Sequence, residues 1–406
     1  MPGAHDDRWA ALVVGRGPAG LTAAIALAEG GVPTVLVGKR SAKSDNRTTA
    51  LLAGSVTALD TLGVWALCAA QAAPLKVMRI VDDTGRLWRA PEVRFEASEI
   101  GLDAFGYNIE NRHLIDALEE RARKLSNLSV IDVETVALTP ERHSVAVAVQ
   151  DGSTYHAQFA IGADGRNSIC RAAAGIDLSE REYPQVALTL CLRHSRPHHD
   201  TSTEFHTPAG PFTLVPLPGD RSSLVWVLDP KASEQLSALD DAELSDEIER
   251  ASYSILGKIE VESGRGRFPL RVATARRFAD KRIALIGEAA HVIPPIGAQG
   301  LNLGLRDAAT ISELAILANR SCKDKDIGAD DMLAHYDRLR RADVGSRALA
   351  VDLLNRTLLS DFLPAQSARG LGLYLIDRIG PLRRAVMREG VAPAAAQPRL
   401  MRGEAL

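Results

Sequence analysis

Residues 10–31 read AALVVGRGPAGLTAAIALAEGG. The apolar run Ala10 to Val14 has the make-up of a short buried strand, and Gly15-Arg16-Gly17-Pro18-Ala19-Gly20 turns out of it into an Ala/Leu-rich helix closed by glycines. VPTVLVG follows as a strand rich in β-branched residues, which completes a β-α-β unit and predicts a parallel sheet. Gly15 permits the tight turn, Gly17 lets backbone approach a pyrophosphate, and Gly20 lets helix pack on strand. The helix start around Ala19 then offers free N–H groups to phosphates.

One part of this dinucleotide fingerprint is missing. An acid about twenty residues on should hold a ribose hydroxyl, but that slot holds Gly38, followed by Lys39 and Arg40. Basic residues there suit a 2′-phosphate. This segment alone leaves FAD and NADP both open.

Composition narrows the partners. With 406 residues, two structural lobes are expected. The net charge of −3 lacks the basic excess that nucleic acid requires. Cys68, Cys170, Cys191 and Cys322 are widely scattered and form no C-x-x-C pair, so neither a metal site nor a disulfide framework is expected. A reducing cytoplasm fits. The opening MPGAHDDRWA carries acids in place of the basic start of a signal peptide.

Outward from the first motif, the alternation around Asp83-Thr84-Gly85 predicts a hairpin, and a helix is expected near Arg112 to Leu125. Two strands flank Asp151-Gly152, and FAIGADG returns to the buried-strand style. Between about Tyr183 and Leu270, strand-like stretches separated by turns predict an antiparallel sheet lobe, with one acidic helix near Asp240 to Ser254. IALIGEAAH resumes the α/β style, and the chain reads as helical after about Asp330.

Two later segments repeat the pattern of strand, acid and turn. IGADGRNSICRAAAG places Asp164-Gly165 after a buried strand, and RIALIGEAAHVIPPIGAQGLNLGLRDA places Gly287-Glu288 after another. Pro294 and Pro295 stiffen the exit, while Gly297, Gly300 and Gly304 are expected to leave room for a large planar ligand. Gly300-Leu301-Asn302 opens a helix whose N–H groups can stabilise negative charge. A reduced flavin carries such charge on its pyrimidine edge, which favours FAD over NADP.

Together the three segments resemble the FAD-dependent aromatic hydroxylases of the para-hydroxybenzoate hydroxylase superfamily. Asn46-Arg47-Thr48-Thr49-Ala50-Leu51, Tyr107-Asn108-Ile109-Glu110-Asn111-Arg112 and GPFTLVPLPGDRSSLVW are most similar to the ubiquinone-biosynthesis hydroxylases within it. The resemblance implies an α/β fold, α+β overall: a Rossmann-like FAD-binding domain with an inserted antiparallel-sheet substrate domain and C-terminal helices. The FAD-binding domain is expected from 1–75, 100–180 and 273–330, the sheet domain from 76–99 and 181–272, and a helical region over 331–406. Gly15, Gly17, Ala19 and Gly20 would hold the pyrophosphate, with Arg47 and Arg112 reaching the phosphate or ribityl region. Asp164 and Gly165 would border the groove shared with the reductant. Gly287 and Glu288 would meet a ribityl hydroxyl, and backbone from Pro295, Gly297 and Gly300 through Leu301 to Asn302 would line the isoalloxazine. Members usually carry Asp where this chain has Glu288.

The same resemblance implies oxygen transfer from the flavin C4a position to a phenolic ring, with dioxygen as co-substrate and NAD(P)H or a ferredoxin-type donor as reductant. No side chain is assigned acid/base work; His291 reads equally as a packed histidine. Trp9, Trp65, Trp88 and Trp226 are isolated in sequence and are expected to serve packing. The implied substrate is a prenylated phenol of ubiquinone biosynthesis, and a multiprotein assembly of that pathway is an implied partner. In LGLYLIDRIGPLRRAVMREGV, apolar residues recur at helical spacing beside Arg378, Arg383, Arg384 and Arg388, which suits peripheral contact with an inner-membrane surface as well as ordinary packing. The rivals are a hydroxylase of a small soluble aromatic acid, another flavin enzyme class, and a flavin-free scaffold. The W-x-W-x-I-P motif of halogenase relatives is absent from the sequence.

Overall fold

A computed structural model describes residues 8–40, 47–85, 91–295, 297–321, 326–359, 372, 374–375, 378–391 and 397–406. The turn at Gly15 joins strand β1 (Arg8–Val14) to helix α1 (Pro18–Glu29), and β2 (Thr34–Val37) returns parallel to β1. Pro18 sits at the start of α1, where its missing N–H costs nothing. Every residue of α1 from Gly20 to Ala28 is buried, because the sheet covers one side and the long helix Gln299–Ser321 packs across the other. A helix apolar all round requires such a sandwich.

The sheet runs, edge to edge, through Ala279–Asp280, Ile283–Leu285, Thr154–Gly162, β1, β2 and Leu128–Ile131. All neighbours are parallel except Ala279–Asp280. Val145–Val149 adds an antiparallel partner to the first half of Thr154–Gly162, so the Asp151-Gly152 turn closes a hairpin beside the parallel core. The expected helix near Arg112 runs Asn111–Arg123, and Gly106–Glu110 before it is a strand.

A second sheet contains Gly266–Ala275, Leu178–His194, Arg221–Leu228, Gly210–Leu217, Thr201–Thr207, Val77–Asp82 and Val93–Glu96 in that order. It is antiparallel apart from one parallel pairing, between Thr201–Thr207 and Val77–Asp82. One face buries Leu188, Leu190, Phe205, Phe212, Leu214 and Leu224 against the helices Pro230–Ala238 and Asp241–Ala251. The Asp83-Thr84-Gly85 turn is described only up to its glycine, and Asn46, Trp88, Cys322 and the Ala/Pro-rich stretch 392–396 lie outside the described residues.

The two sheets are stitched together. His291–Val292 leaves the α/β lobe as a short strand and pairs antiparallel with Ala273 and Thr274 at the edge of the second sheet. Helix Asp330–Leu359 then crosses the α/β lobe, burying Tyr336, whose hydroxyl donates to Leu285 O at 2.8 Å. Trp65 meets Tyr107 edge-on at 5.1 Å and Trp226 meets Phe212 at 5.0 Å, so these two tryptophans, isolated in sequence, are paired in space.

Candidate active site

The three glycine-bearing segments meet at the carboxyl ends of the parallel strands. Gly15 adopts φ +112°, and a Cβ there would lie 2.3 Å from Ala163 O; a Cβ on Gly20 would lie 2.0 Å from Gly15 O. Both positions are closed to any side chain by neighbouring backbone. Gly17 differs: nothing lies within 4 Å of where its Cβ would be, so the turn presents open backbone. Gly287 and Gly304 approach each other across Ala19: a Cβ on Gly304 would sit 3.2 Å from Gly287 Cα and 3.5 Å from the Ala19 methyl. Gly304 therefore serves helix packing, which corrects the expectation that it leaves room for a ligand. Gly300 faces open space, and Pro295, Gly297 and Gly300 are exposed.

Asp164 closes its own turn. Its carboxylate accepts Ser168 Oγ at 2.6 Å and Cys170 N at 3.1 Å, after which Gly165 takes a left-handed φ of +79°. Two arginines that the sequence reading did not single out tie this segment to the next. Arg166 donates to both oxygens of Glu288 at 3.0 and 3.2 Å, and Arg171 bridges Ala289 O and Arg166 O, each at 2.9 Å. Glu288 is thus half of an exposed, two-pronged pair.

Behind that turn lies a buried charge network. Asp307 accepts Gly287 N at 2.9 Å, His291 Nε2 at 2.7 Å and Arg340 Nε at 2.6 Å. Its burial alone would push the carboxyl up, but His291 and Arg340 outweigh it and hold the carboxyl below the ordinary range. His291 is a buried partner of Asp307.

Asn302 locks the opening of helix Gln299–Ser321. Its amide donates to Ala50 O at 2.8 Å and Ala298 O at 2.6 Å, and its carbonyl accepts Leu52 N at 2.8 Å. Leu301 beside it packs half-buried on the main core. Gly297 and Ala298 are both left-handed, at φ +66° and +54°.

The remaining expected site residues sit further out. Arg47 places its guanidinium over the Phe268 ring, at 5.7 Å, on the second sheet. Arg112 pairs with Glu110 at 2.8 Å, and Glu110 also receives Arg221, which is held by Glu262. These contacts join the strand Gly106–Glu110 to the sheet lobe. At the end of β2, a Cβ on Gly38 would fall 2.8 Å from Arg16 N, so the strand end is pressed against the first turn. Arg16 pairs with Glu119 at 3.0 Å and Asp132 at 3.4 Å.

The donor set fits a flavin dinucleotide: open backbone at Gly17, a helix N-terminus at Gln299 to Leu301, and exposed glycine backbone between them. Among the described residues no group of His, Cys, Asp or Glu is placed to hold a metal ion. Residues 8–347 match the family model described as an FAD binding domain. A ubiquinone hydroxylase, UbiL, from Rhodospirillum rubrum is 35% identical over 413 aligned residues, covering 99% of this chain and 95% of that protein. The 3-demethoxyubiquinol 3-hydroxylase of Escherichia coli is 29% identical, over 93% of this chain and 96% of that one. Among solved structures, p-nitrophenol 4-monooxygenase PnpA from Pseudomonas putida superposes with a TM-score of 0.77 at 19% identity, covering 96% of this chain and 99% of its own. The chain belongs to the FAD-binding family that contains these ubiquinone hydroxylases, and it is an FAD-dependent aromatic-ring monooxygenase.

Proposed function

We propose that the chain hydroxylates a phenolic ring bearing a polyprenyl tail, an intermediate of ubiquinone synthesis. The reading is supported by one observation: the segments that carry Gly17, Glu288 and the Gly297–Gly300 loop, far apart in sequence, are drawn together at the Ala19–Gly287–Gly304 contact. The FAD-binding unit is assigned to 1–75, 100–180 and 273–330, the substrate unit to 76–99 and 181–272, and a helical unit to 331–406. Bound FAD supplies oxygen transfer at its C4a carbon, with dioxygen as co-substrate and NAD(P)H or a ferredoxin-type protein as reductant.

The chain's own residues bind and orient. Backbone N–H groups after Gly17 take the pyrophosphate, and Glu288, restrained by Arg166, meets the ribityl hydroxyls. The first turn of Gln299–Ser321 presents its N–H groups to negative charge on the ring's pyrimidine edge. The test is a purified, yellow protein assayed on a short-chain prenyl phenol and on hydroxybenzoates. Hydroxylation of the prenyl phenol with matching oxygen uptake supports the reading. Turnover of hydroxybenzoates alone would replace it with the small-acid reading.

A specific observation favours peripheral membrane contact. Leu375, Ile379, Leu382 and Val386 are exposed and recur at helical spacing, while the adjacent face docks through Met387 and the Arg383–Glu99 pair, 2.6 Å. Arg378, beside that row, stacks on the exposed Tyr374 at 5.4 Å. No single described helix is long and apolar enough to cross a membrane. Co-sedimentation with anionic vesicles tests this: a Leu382→Ser/Val386→Ser variant should lose binding, and unchanged binding rejects the surface.

A further inference from the structure

Helix Asp330–Leu359 carries a row of charge that reaches the ring-side loop. Asp343 receives Arg340 Nη1 at 2.6 Å, Arg347 Nε at 3.0 Å and Arg306 Nη1 at 3.2 Å. Inward, Arg340 passes the connection to Asp307 and so to Gly287. Outward, Arg347 Nη1 donates to Gln299 Oε1 at 3.1 Å, and Gln299 Nε2 donates to Gly297 O at 2.9 Å. A continuous chain of bonds therefore runs from the turn before Glu288 to the glycine loop.

That loop needs holding. Ala298 is left-handed without being glycine, a conformation that costs about 1–2 kcal/mol and persists only where the surroundings enforce it. Asn302 fixes Ala298 O, and Gln299 fixes Gly297 O, yet Gln299 is only half-buried and its amide oxygen is held by Arg347. Arg347, by contrast, is 12% exposed and already anchored by Asp343. Its planar fork presents Nε to the carboxylate and Nη1 to the amide at a fixed spacing, where a lysine offers a single nitrogen.

We propose that Arg347 is a positioning residue: acting through Gln299, it fixes the Gly297–Ala298 backbone against the isoalloxazine edge. The inference rests on the reading that this loop borders the flavin. It also has an electrostatic side, since three guanidiniums (Arg306, Arg340, Arg347) face two carboxylates (Asp307, Asp343), leaving one surplus positive charge behind the loop.

The test uses the full-length chain, comparing Arg347→Met, Gln299→Leu and the double variant for FAD dissociation constant, flavin absorbance and the fraction of reducing equivalents lost as hydrogen peroxide. Each single variant should weaken FAD by roughly tenfold, the worth of one hydrogen bond to a charged group. Each should also raise peroxide leakage, and the double variant should be no worse than either single one. Gln299→Leu touches none of the buried ion pairs and should leave the thermal midpoint of the apoprotein unchanged, so it decides the matter if Arg347→Met fails to fold. Wild-type affinity and spectrum in Gln299→Leu would overturn the positioning role alone. A wild-type chain that takes up no FAD would overturn the functional reading with it.

Discussion

The carboxylate of Asp307 accepts the backbone N–H of Gly287 at 2.9 Å from a distance of twenty residues along the chain. The same side chain holds His291 and Arg340, and both it and Arg340 are almost fully buried. Asp307→Ala should therefore leave buried His291 and the Nε of Arg340 without their carboxylate and cost about 3–5 kcal/mol in urea unfolding. Arg340→Met should cost a similar amount, and the pair of substitutions far less than their sum. Additive losses would mean the two groups act independently.

Acid should weaken the fold through the same cluster. Burial would raise the Asp343 carboxyl, but Arg340 and Arg306 win and carry it from the ordinary 3.8 to about 2. A carboxyl depressed in the folded state contributes stability that is complete above its unfolded value and is lost as pH falls through the folded one. Stability measured between pH 5 and pH 2 should fall in wild type. Asp343→Asn should be less stable at neutral pH and show a shallower fall over that window, about 4 down to about 2.

Glycine substitutions should separate folding from cofactor binding. Gly20→Ala drives a methyl into Gly15 O and should cost about 3 kcal/mol, the upper end of overpacking. Gly17→Ala meets nothing within 4 Å and should leave the thermal midpoint of the apoprotein within experimental error. FAD titration should nevertheless show weakened binding if, as proposed, the pyrophosphate approaches the backbone at this turn. Unchanged FAD affinity in Gly17→Ala would remove the phosphate from that turn.

The thiols should be inert in the native state. Burial pushes Cys68 up to about 11 and Cys170 well above its ordinary value, and burial with nearby Glu110 pushes Cys191 up to about 11. In a Cys322→Ser variant at pH 8, Ellman's reagent should titrate no thiol until denaturant is added.

The strand and helix that flank the first turn and the Gly287–Gly300 stretch were legible because the signals are local: glycine spacing, a preceding apolar strand and a following helix lie close together in sequence. Gly304 was misread for the opposite reason. What fills the space beside it is Gly287, and nothing in the spacing of GLNLGLRDA reveals that neighbour. The partnership of Asp307 with Arg340 spans 33 residues and two helices, so it leaves no periodic trace. Likewise the parallel pairing of Thr201–Thr207 with Val77–Asp82 joins strands far apart in the chain, whereas the antiparallel neighbours between Thr201 and Leu228 follow from short turns.

The short strand His291–Val292 makes the ring-side segment a stave of the neighbouring sheet, with Ala275 N bonded to Ala290 O at 2.8 Å to seal the joint. Prising the lobes apart on that side would rupture ladder bonds one after another. Any movement of one sheet against the other must therefore leave this seam closed or first break its bonds.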